Sequence, residues 1–307
     1  MGTPSFAVGV LKSLVEDGQN IVGVITAPDK PAGRGRKLTP SAVKEYAVSQ
    51  SLPVLQPTNL KDPEFLDALK ALEANLQIVV AFRMLPEMVW SLPKYGTFNL
   101  HASLLPAYRG AAPINWAIIN GETETGVTTF FIDEKIDTGA IIDAKIVPIE
   151  PNETAGSLHD KLMEVGSELV LETVALIKND KAVSKPQPEA TQLKSAPKLH
   201  TDNTRIQWNQ PIESIDAFVR GLSPYPTAWG LLINGEDELN VKVYKVSMEK
   251  TTSEGAIGQL VTNKKIIKVI VPEGYIIIEE LKLPGKRKMT ASELLNGFTF
   301  ENGAHFA

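Results

Sequence analysis

The strongest constraint on the fold is a set of short apolar runs in the first half of the chain. Ile21–Ile25, Leu76–Ala81 and Val127–Ile132 contain no charged residue and do not alternate cleanly between apolar and polar positions. A sheet with one face in water requires such alternation, whereas a parallel sheet covered on both faces does not. We therefore predict a largely parallel, fully covered sheet within residues 4–148.

Segments with helical spacing of apolar residues lie between these runs, at Phe6–Val15, Ser41–Ala47 and Pro63–Leu72. Asp62 before Pro63 is typical of a helix start, because Asp caps free amide groups and proline fits the first turn. Strands that alternate with helices predict a doubly wound, mostly parallel α/β domain. In such a domain, functional sites lie beyond the carboxyl ends of the strands.

The second half of the chain changes in character. A long amphipathic segment over residues 158–177 is followed by polar, proline-bearing residues and then by an apolar helix pattern at 212–220. We predict an α/β catalytic domain over 1–183, a linker over 184–203 and a C-terminal domain over 204–307. Short strands in that last domain predict a small, OB-like β-barrel. We place these strands at Ala228–Ile233, Val241–Val246, Ile266–Val271 and Tyr275–Leu281.

Polar residues gather where the run through Thr97 and Phe98 leaves the predicted sheet. Asn99, His101 and Ser103 occupy alternate positions, and on an extended segment they point to the same side. An amide donor and an imidazole that can hold a proton suit a site where charge develops on a carbonyl oxygen. Asp137 supplies a carboxylate to orient the imidazole. Ser103 is not predicted as a nucleophile, because no Gly-x-Ser-x-Gly elbow surrounds it.

The composition narrows the classes of function. The chain of 307 residues has no cysteine and four scattered histidines, which excludes disulfides and thiolate sites and disfavours a metal site. A net charge of −5 argues against a uniformly basic nucleic-acid binder but permits local basic patches. We find neither a secretory signal nor an apolar run near the roughly 20 residues that cross a bilayer. We expect a cytoplasmic monomer.

Two short basic stretches stand out on this acidic chain. The first holds Lys30, Arg34, Arg36 and Lys37 without an acid, and its glycines let the backbone bend while its arginines reach phosphates. A solvated flexible loop is the alternative interpretation; a basic loop beside the site favours RNA contacts. The second stretch is also free of acids in the sequence and holds Lys282, Lys286, Arg287 and Lys288 around Pro284-Gly285.

Several separate motifs resemble those of one enzyme family. They are Asn-x-His-x-Ser-Leu-Leu-Pro at 99–106, Asp-x-Gly at 137–139, Gly-Thr-Pro at 2–4, Pro-Asp-Lys-Pro-Ala-Gly-Arg-Gly-Arg at 28–36 and Leu-Pro-Gly-Lys at 283–286. They are similar to motifs of the folate-dependent formyltransferases. Over nearly the whole chain, the pattern resembles the bacterial members of that family that act on methionyl-tRNA.

The resemblance implies a Rossmann-like fold and a role for each motif. It implies transfer of a formyl group from 10-formyltetrahydrofolate to the methionine amino group of initiator tRNA, with no metal. The catalytic residues of the family match Asn99, His101 and Asp137. Its basic loop, which grips the acceptor end of the tRNA, matches the stretch from Lys30 to Lys37, and its terminal barrel contacts the tRNA backbone. The family's tetrahydrofolate site matches Ser103, Leu104, Leu105 and Pro106.

One departure from the family concerns the start of the chain. Family members usually have an apolar strand before the Gly-Thr-Pro turn, and here that turn begins at Gly2. We expect either a start assigned too far downstream or a truncated product. A sheet without a central strand leaves ladder hydrogen bonds unmade and apolar faces exposed, so we also expect reduced stability.

Other functions stay open at this point. A formyltransferase for a small amine, such as an amino sugar nucleotide, would share Asn99, His101 and Asp137 but would have little need for the basic stretches. A non-catalytic RNA-binding module would keep the fold without turnover, although intact catalytic residues argue against it. A nicotinamide-dependent dehydrogenase is disfavoured because no Gly-x-Gly-x-x-Gly follows a strand.

Overall fold

A computed structural model of the protein describes residues 1–32, 37–189 and 192–307 and divides them into two compact units. Unit 1 comprises 1–110, 125–148 and 159–195, and unit 2 comprises 111–124, 149–158 and 196–307. In chain order, helices α1 to α8 span Ser5–Glu16, Ala42–Ser49, Pro63–Ala71, Glu87–Trp90, Pro113–Ile119, Ala155–Lys178, Ile212–Leu222 and Ala291–Leu295.

Strands β1 to β17 span Val24–Ile25, Lys30–Ala32, Lys37–Thr39, Val54–Leu55, Gln77–Val80, Thr97–His101, Arg109–Gly110, Glu124–Phe131, Ile141–Pro148, Ser195–Ala196, Ala228–Asn234, Asp237–Lys250, Leu260–Thr262, Ile267–Val271, Gly274–Lys282, Met289–Thr290 and His305–Phe306. In unit 1, β1 pairs with β4 and β5 pairs with β6, both in parallel. The wider sheet has the order β5-β6-β8-β9, in which β8 runs antiparallel to β6. The predicted α/β class with parallel pairing is confirmed.

Helices cover both faces of this sheet. Val79 of β5 packs with residues of α3 and α4 in one apolar cluster. Gly166 of α6 lies against Leu100 of β6, where an added Cβ would come within 2.9 Å of the leucine side chain. Val79 is paired with Asn99, the neighbour of Leu100, so Val79 and Leu100 face opposite sides of the sheet. This two-sided cover is the doubly wound arrangement that the apolar runs predict.

The first two residues of the chain join strands that otherwise do not pair. The Met1 amino group donates to the Ile78 carbonyl at 2.7 Å, and the Val80 amide donates to the Met1 carbonyl at 2.9 Å. On the other side, the Gly2 amide donates to the Ile25 carbonyl at 3.0 Å. Met1 and Gly2 therefore occupy the end of a strand position between β1 and β5.

An apolar cavity of about 130 Å³ lies next to this contact, lined by α1 and by residues 20–25 and 76–78. The strand expected over Ile21–Ile25 is shorter than predicted, because only Val24 and Ile25 are paired in a ladder. Burial lowers the pKa of the Met1 amino group from 8.0 to about 5. The buried amino group of Met1 therefore adjoins this cavity.

Unit 2 contains the barrel that the short strands predict. Its sheet runs in the order β13-β14-β15-β12-β11-β17 with antiparallel pairing. The two ends of this order meet through a bridge between Gln259 and His305, where the Leu260 amide donates to the Ala304 carbonyl at 3.0 Å. α7 contributes Ile212, Ile215, Val219 and Leu222 to the apolar core of this unit. The predicted C-terminal barrel is confirmed. The domain boundaries at 183 and 203 stay a prediction.

Candidate active site

Asn99 and His101 lie on β6, whose carboxyl end is His101, and share one face of the sheet because they are two residues apart. His101 is buried, and its Nε2 donates to the Tyr108 carbonyl at 2.9 Å, which fixes the plane of the ring. Asn99 is half-buried, and its side-chain amide makes no hydrogen bond with any residue that the structure describes. A free amide donor therefore lies beside an oriented imidazole.

Asp137 approaches this imidazole from the loop between β8 and β9. Its Oδ2 lies 3.9 Å from His101 Nδ1 and accepts a hydrogen bond from the Gly110 amide at 3.0 Å. Both side chains are largely buried, with 7% and 14% of the His101 and Asp137 side chains exposed. At 3.9 Å the two side chains are too far apart for a direct hydrogen bond. The structure brings together the pair that the sequence predicts to converge.

The backbone around Asp137 is tightly constrained. Asp137 has a φ of +54°, a left-handed conformation that Asp adopts more readily than most residues. Two residues later, a Cβ on Gly139 would overlap the carbonyl oxygen of Phe131. Glycine at 139 is therefore required for the loop to pass close to β8. This requirement gives a physical reason for the Asp-x-Gly spacing at 137–139.

Ser103 lies beyond the end of β6, so the strand alternation that places Asn99 and His101 does not extend to it. Its hydroxyl is fully buried and donates to the Ala107 carbonyl at 2.7 Å. The Thr128 hydroxyl donates to the Ser103 carbonyl at 2.7 Å, and the Leu105 amide donates to Thr128 at 3.2 Å. Ser103 therefore shapes the turn, which fits the prediction that it is not a nucleophile.

The remaining predicted folate residues belong to this same turn. Leu105 is buried, whereas Leu104 and Pro106 are half-buried. An added Cβ at Gly126 of β8 would come within 2.4 Å of Leu104, so the turn packs closely on the sheet. The turn follows His101 directly. The folate role of these residues stays a prediction.

The first basic stretch is described in part. Lys30 is exposed on β2, and Arg34 and Arg36 lie outside the described residues. Lys37 begins β3, whose backbone pairs with β2 in a hairpin. At its base, Lys44 Nζ and Gln56 Nε2 donate to the Asp29 carboxylate at 2.7 and 2.8 Å. These bonds lower the pKa of Asp29. The base of the hairpin is thus anchored by charge.

The fold brings acids to two of the four cations in the second basic stretch. Arg287 pairs with Glu293 at 2.8 Å, and Lys288 pairs with Glu280 at 2.7 Å. Hydrogen bonds from Arg287 and Thr290 lower the pKa of Glu293 to about 2. Lys286 has no ion pair with any described residue. The stretch is free of acids in the sequence but not in the structure.

Two lysines on neighbouring strands of the barrel, one of them Lys282 of the second basic stretch, carry unbalanced charge. Lys242 of β12 and Lys282 of β15 are directly opposite in register, and Trp229 of β11 is opposite Lys242 on its other side. Residues opposite each other share a face, and like charges in such positions repel. Within the described part of the chain, neither lysine pairs with an acid. The alignment of Lys282 with Lys242 and Trp229 was not predicted, because strand register is a long-range property.

The polar segment after residue 183 contacts the loop that carries Asp137. Ile141 and Lys185 exchange two backbone hydrogen bonds of 2.8 Å in an isolated antiparallel bridge. Farther along, the Tyr108 amide donates to the Lys194 carbonyl at 2.6 Å. The segment therefore contacts both sides of the site. Composition alone indicates only that it is polar and irregular.

The described residues contain neither a candidate metal site nor a candidate membrane-spanning helix. No group of three or more His, Asp or Glu side chains in those residues is arranged to hold a metal ion. None of the helices described is both long and apolar enough to cross a bilayer.

Two family models match the chain: the formyl transferase domain over residues 1–174 and the formyl transferase C-terminal domain over residues 198–299. Among curated relatives, methionyl-tRNA formyltransferase of Flavobacterium johnsoniae is 55% identical over 304 residues, 99% of this chain and 96% of that protein. Methionyl-tRNA formyltransferase of Bacteroides fragilis is 54% identical over 303 residues, 97% of this chain and 94% of that protein.

Solved structures of lower identity share the fold. An N-formyltransferase from Helicobacter canadensis, solved with folinic acid and dTDP-3-aminofucose, matches with a TM-score of 0.61 at 21% identity, over 94% of this chain and 97% of that chain. HypX from Aquifex aeolicus, solved with tetrahydrofolic acid, matches with a TM-score of 0.59 at 20% identity, over 81% of this chain and 43% of that chain.

Proposed function

Because this chain belongs to the formyl transferase family, we propose that it is a methionyl-tRNA formyltransferase. It transfers the formyl group of 10-formyltetrahydrofolate to the methionine amino group of initiator tRNA. The observation that carries this proposal is identity above 50% to named methionyl-tRNA formyltransferases over both domains.

The reaction is a direct acyl transfer from folate to an amine. The neutral α-amine attacks the formyl carbon, and the carbonyl oxygen becomes an oxyanion on a tetrahedral intermediate. The carbon–nitrogen bond to N10 of the folate then breaks, and N10 takes a proton to release tetrahydrofolate. The Ser103 hydroxyl is committed to the Ala107 carbonyl, which supports a route without an acyl-enzyme.

Asn99, His101 and Asp137 have different roles in this reaction. Asn99 Nδ2 has no competing partner among the described residues and donates to the oxyanion. His101 Nε2 is held by Tyr108, so its Nδ1 edge, which faces Asp137, meets the reacting group. A protonated Nδ1 donates to the oxyanion, and Asp137 balances the charge of the ring. The carboxylate also takes the proton that the attacking amine loses.

Positive charge without an acidic partner supports the choice of tRNA-binding residues. Lys30, Arg34, Arg36 and Lys37 remain our predicted contacts with the acceptor end, and Lys286, Arg287 and Lys288 our predicted contacts on the barrel. Lys282 belongs to the same predicted stretch, and Lys242 is added because it lies opposite Lys282. A phosphate backbone would relieve the mutual repulsion of these two lysines. Arg287 and Lys288 already have acidic partners and contribute less. We place the protein in the cytoplasm, because translation there uses charged tRNA. We further propose that it is a monomer.

A formylation assay tests the proposed function. The chain is incubated with 10-formyltetrahydrofolate and methionylated initiator tRNA, and formyl-methionine is measured after the ester bond to the tRNA is hydrolysed. Parallel reactions contain free methionine or an amino sugar nucleotide in place of the tRNA. We expect turnover with the tRNA alone. Preferential turnover of the amino sugar nucleotide would replace the proposal with a small-amine formyltransferase, and no turnover of any acceptor would reject an enzyme.

A pair of double variants tests the role of the lysines on the barrel. We expect K242A/K282A to raise the KM for tRNA about 10-fold and to reduce the slope of log KM against log salt by about 2, because two phosphate contacts are lost. R287A/K288A removes the same charge from ion-paired positions, and its KM should stay within about 3-fold of the wild type. A larger effect for R287A/K288A would contradict this assignment.

A further inference from the structure

Gln187 holds two sides of the active site together through its side-chain amide. Its Oε1 accepts from Arg109 Nε at 3.1 Å and from Arg109 Nη2 at 2.5 Å. Its Nε2 donates to the Asp137 carbonyl and to the Gly139 carbonyl, each at 2.9 Å. An amide side chain offers two acceptor positions and two donor hydrogens. All four are used, so the orientation of this amide is determined.

The register of the backbone places Gln187 at this point. Lys185 and Ile141 form an antiparallel bridge, so the residue two positions after Lys185 falls opposite the residue two positions before Ile141. That residue is Gly139, whose carbonyl accepts a hydrogen bond from the glutamine amide. Gly139 itself lies against Phe131 without room for a Cβ. The loop is therefore held from both sides.

The contacts of Gln187 reach Asp137 by two routes, through Arg109 and Gly110 on one side and directly at the Asp137 carbonyl on the other. Arg109 precedes Gly110, whose amide donates to Asp137 Oδ2. On the other side, the Asp137 carbonyl is itself bound by Gln187, which supports the left-handed backbone at that residue. Movement of either side would change the 3.9 Å separation between Asp137 Oδ2 and His101 Nδ1.

We propose that Gln187 is a positioning residue for formyl transfer, which acts through Asp137 by holding the 137–139 loop at a set distance from His101. The proposal rests on the proposed function. No hydrogen bond among the described residues joins Gln187 to the predicted folate turn, so its effect should appear in kcat. Arg109 is part of the same arrangement, since its guanidinium occupies both acceptor positions of the amide.

Two substitutions of similar size separate the contacts. Q187M removes all four hydrogen bonds, whereas Q187E keeps acceptors for Arg109 and replaces both donors with an anionic oxygen facing two carbonyls. We expect each to lower kcat about 10- to 100-fold with KM for both substrates within about 3-fold, because the catalytic carboxylate is misplaced. We also expect a shifted pH profile of kcat. Q192M serves as the matched control, since Gln192 is exposed and makes no hydrogen bond with the described residues.

A double-mutant cycle tests whether the effect passes through Asp137. In a D137N background, Q187M should lower kcat by less than about 3-fold. The D137N variant already lacks the carboxylate, so misplacing the side chain at this position removes no further function. Hydrogen exchange of peptides over 133–141 should rise in Q187M and Q187E but not in Q192M. The proposal would be overturned by an unchanged kcat in Q187M or by a wild-type kcat in Q187E. It would also be overturned if the losses of kcat caused by Q187M and D137N were additive. Wild-type turnover in the same assay tests the proposed function separately, and hydrogen exchange needs no turnover.

Discussion

His101→Ala should lower kcat for formyl transfer by about 10³-fold or more, while the KM for 10-formyltetrahydrofolate stays within about 3-fold. In the proposed mechanism the imidazole donates to the oxyanion, and the loss of one donor to such a group costs roughly 10²- to 10³-fold in kcat. His101 also lies beside Asp137, the proposed acceptor of the amine proton, so its removal should disturb that step as well. Folate binding precedes the development of this charge and should change little.

His159→Ala provides the control for this substitution. His159 lies on α6, beside the exposed carboxylate of Asp160. Within the described residues, no hydrogen bond or ion pair joins it to the loop that carries Asp137. Its kcat should equal that of the wild type, and thermal unfolding should show that both variants are folded at the assay temperature. Wild-type turnover in His101→Ala would remove the imidazole from the reaction.

An apolar extension ahead of Met1 should stabilise the protein and abolish part of its pH dependence. The buried amino group has a pKa of about 5, against 8.0 when unfolded, so the unfolded chain binds more protons between these values. The free energy of unfolding of the unextended chain therefore rises from pH 5 to pH 8, by at most about 4 kcal/mol. An amide in place of the ammonium group has no such titration.

Two extensions of five residues distinguish the charge from the cavity. An extension rich in valine and isoleucine fills the cavity of about 130 Å³ and can pair with the neighbouring strands, whereas a Gly-Ser extension only removes the ammonium group. Both should flatten the pH dependence between pH 5 and pH 8. The apolar extension should raise the Tm further, by more than about 5 °C over the Gly-Ser extension. Equal Tm values would mean that the cavity does not accept a strand.

The local structure of unit 1 follows closely from sequence patterns. α3 begins as predicted, since Asp62 accepts from the Glu64 amide at 3.2 Å and Pro63 occupies the first turn. The convergence of His101 and Asp137 was also predictable, because the carboxyl end of a strand and a nearby loop are where an α/β domain places its sites. These features depend on few residues that are close in sequence.

The unpredicted features depend on strand register and on contacts between separate elements. Arg287 and Glu293 are close in sequence, but their ion pair forms only when α8 packs beside β16. The opposition of Lys242 and Lys282 likewise requires the pairing of β12 with β15, including its irregularity near Lys245. Gln187 lies in a segment whose polar composition indicates only a connection. Its two flanking prolines were the available local sign of a fixed backbone.

The close packing at Gly139 has a consequence for efforts to change the acceptor of this enzyme. Any side chain at this position would collide with the main chain of β8, so residue 139 can be excluded from mutant libraries. Exposed positions earlier in the loop, such as Glu134 and Lys135, have no comparable steric limit. Randomisation there alters what the loop presents to an incoming molecule while preserving the backbone path that delivers the carboxylate.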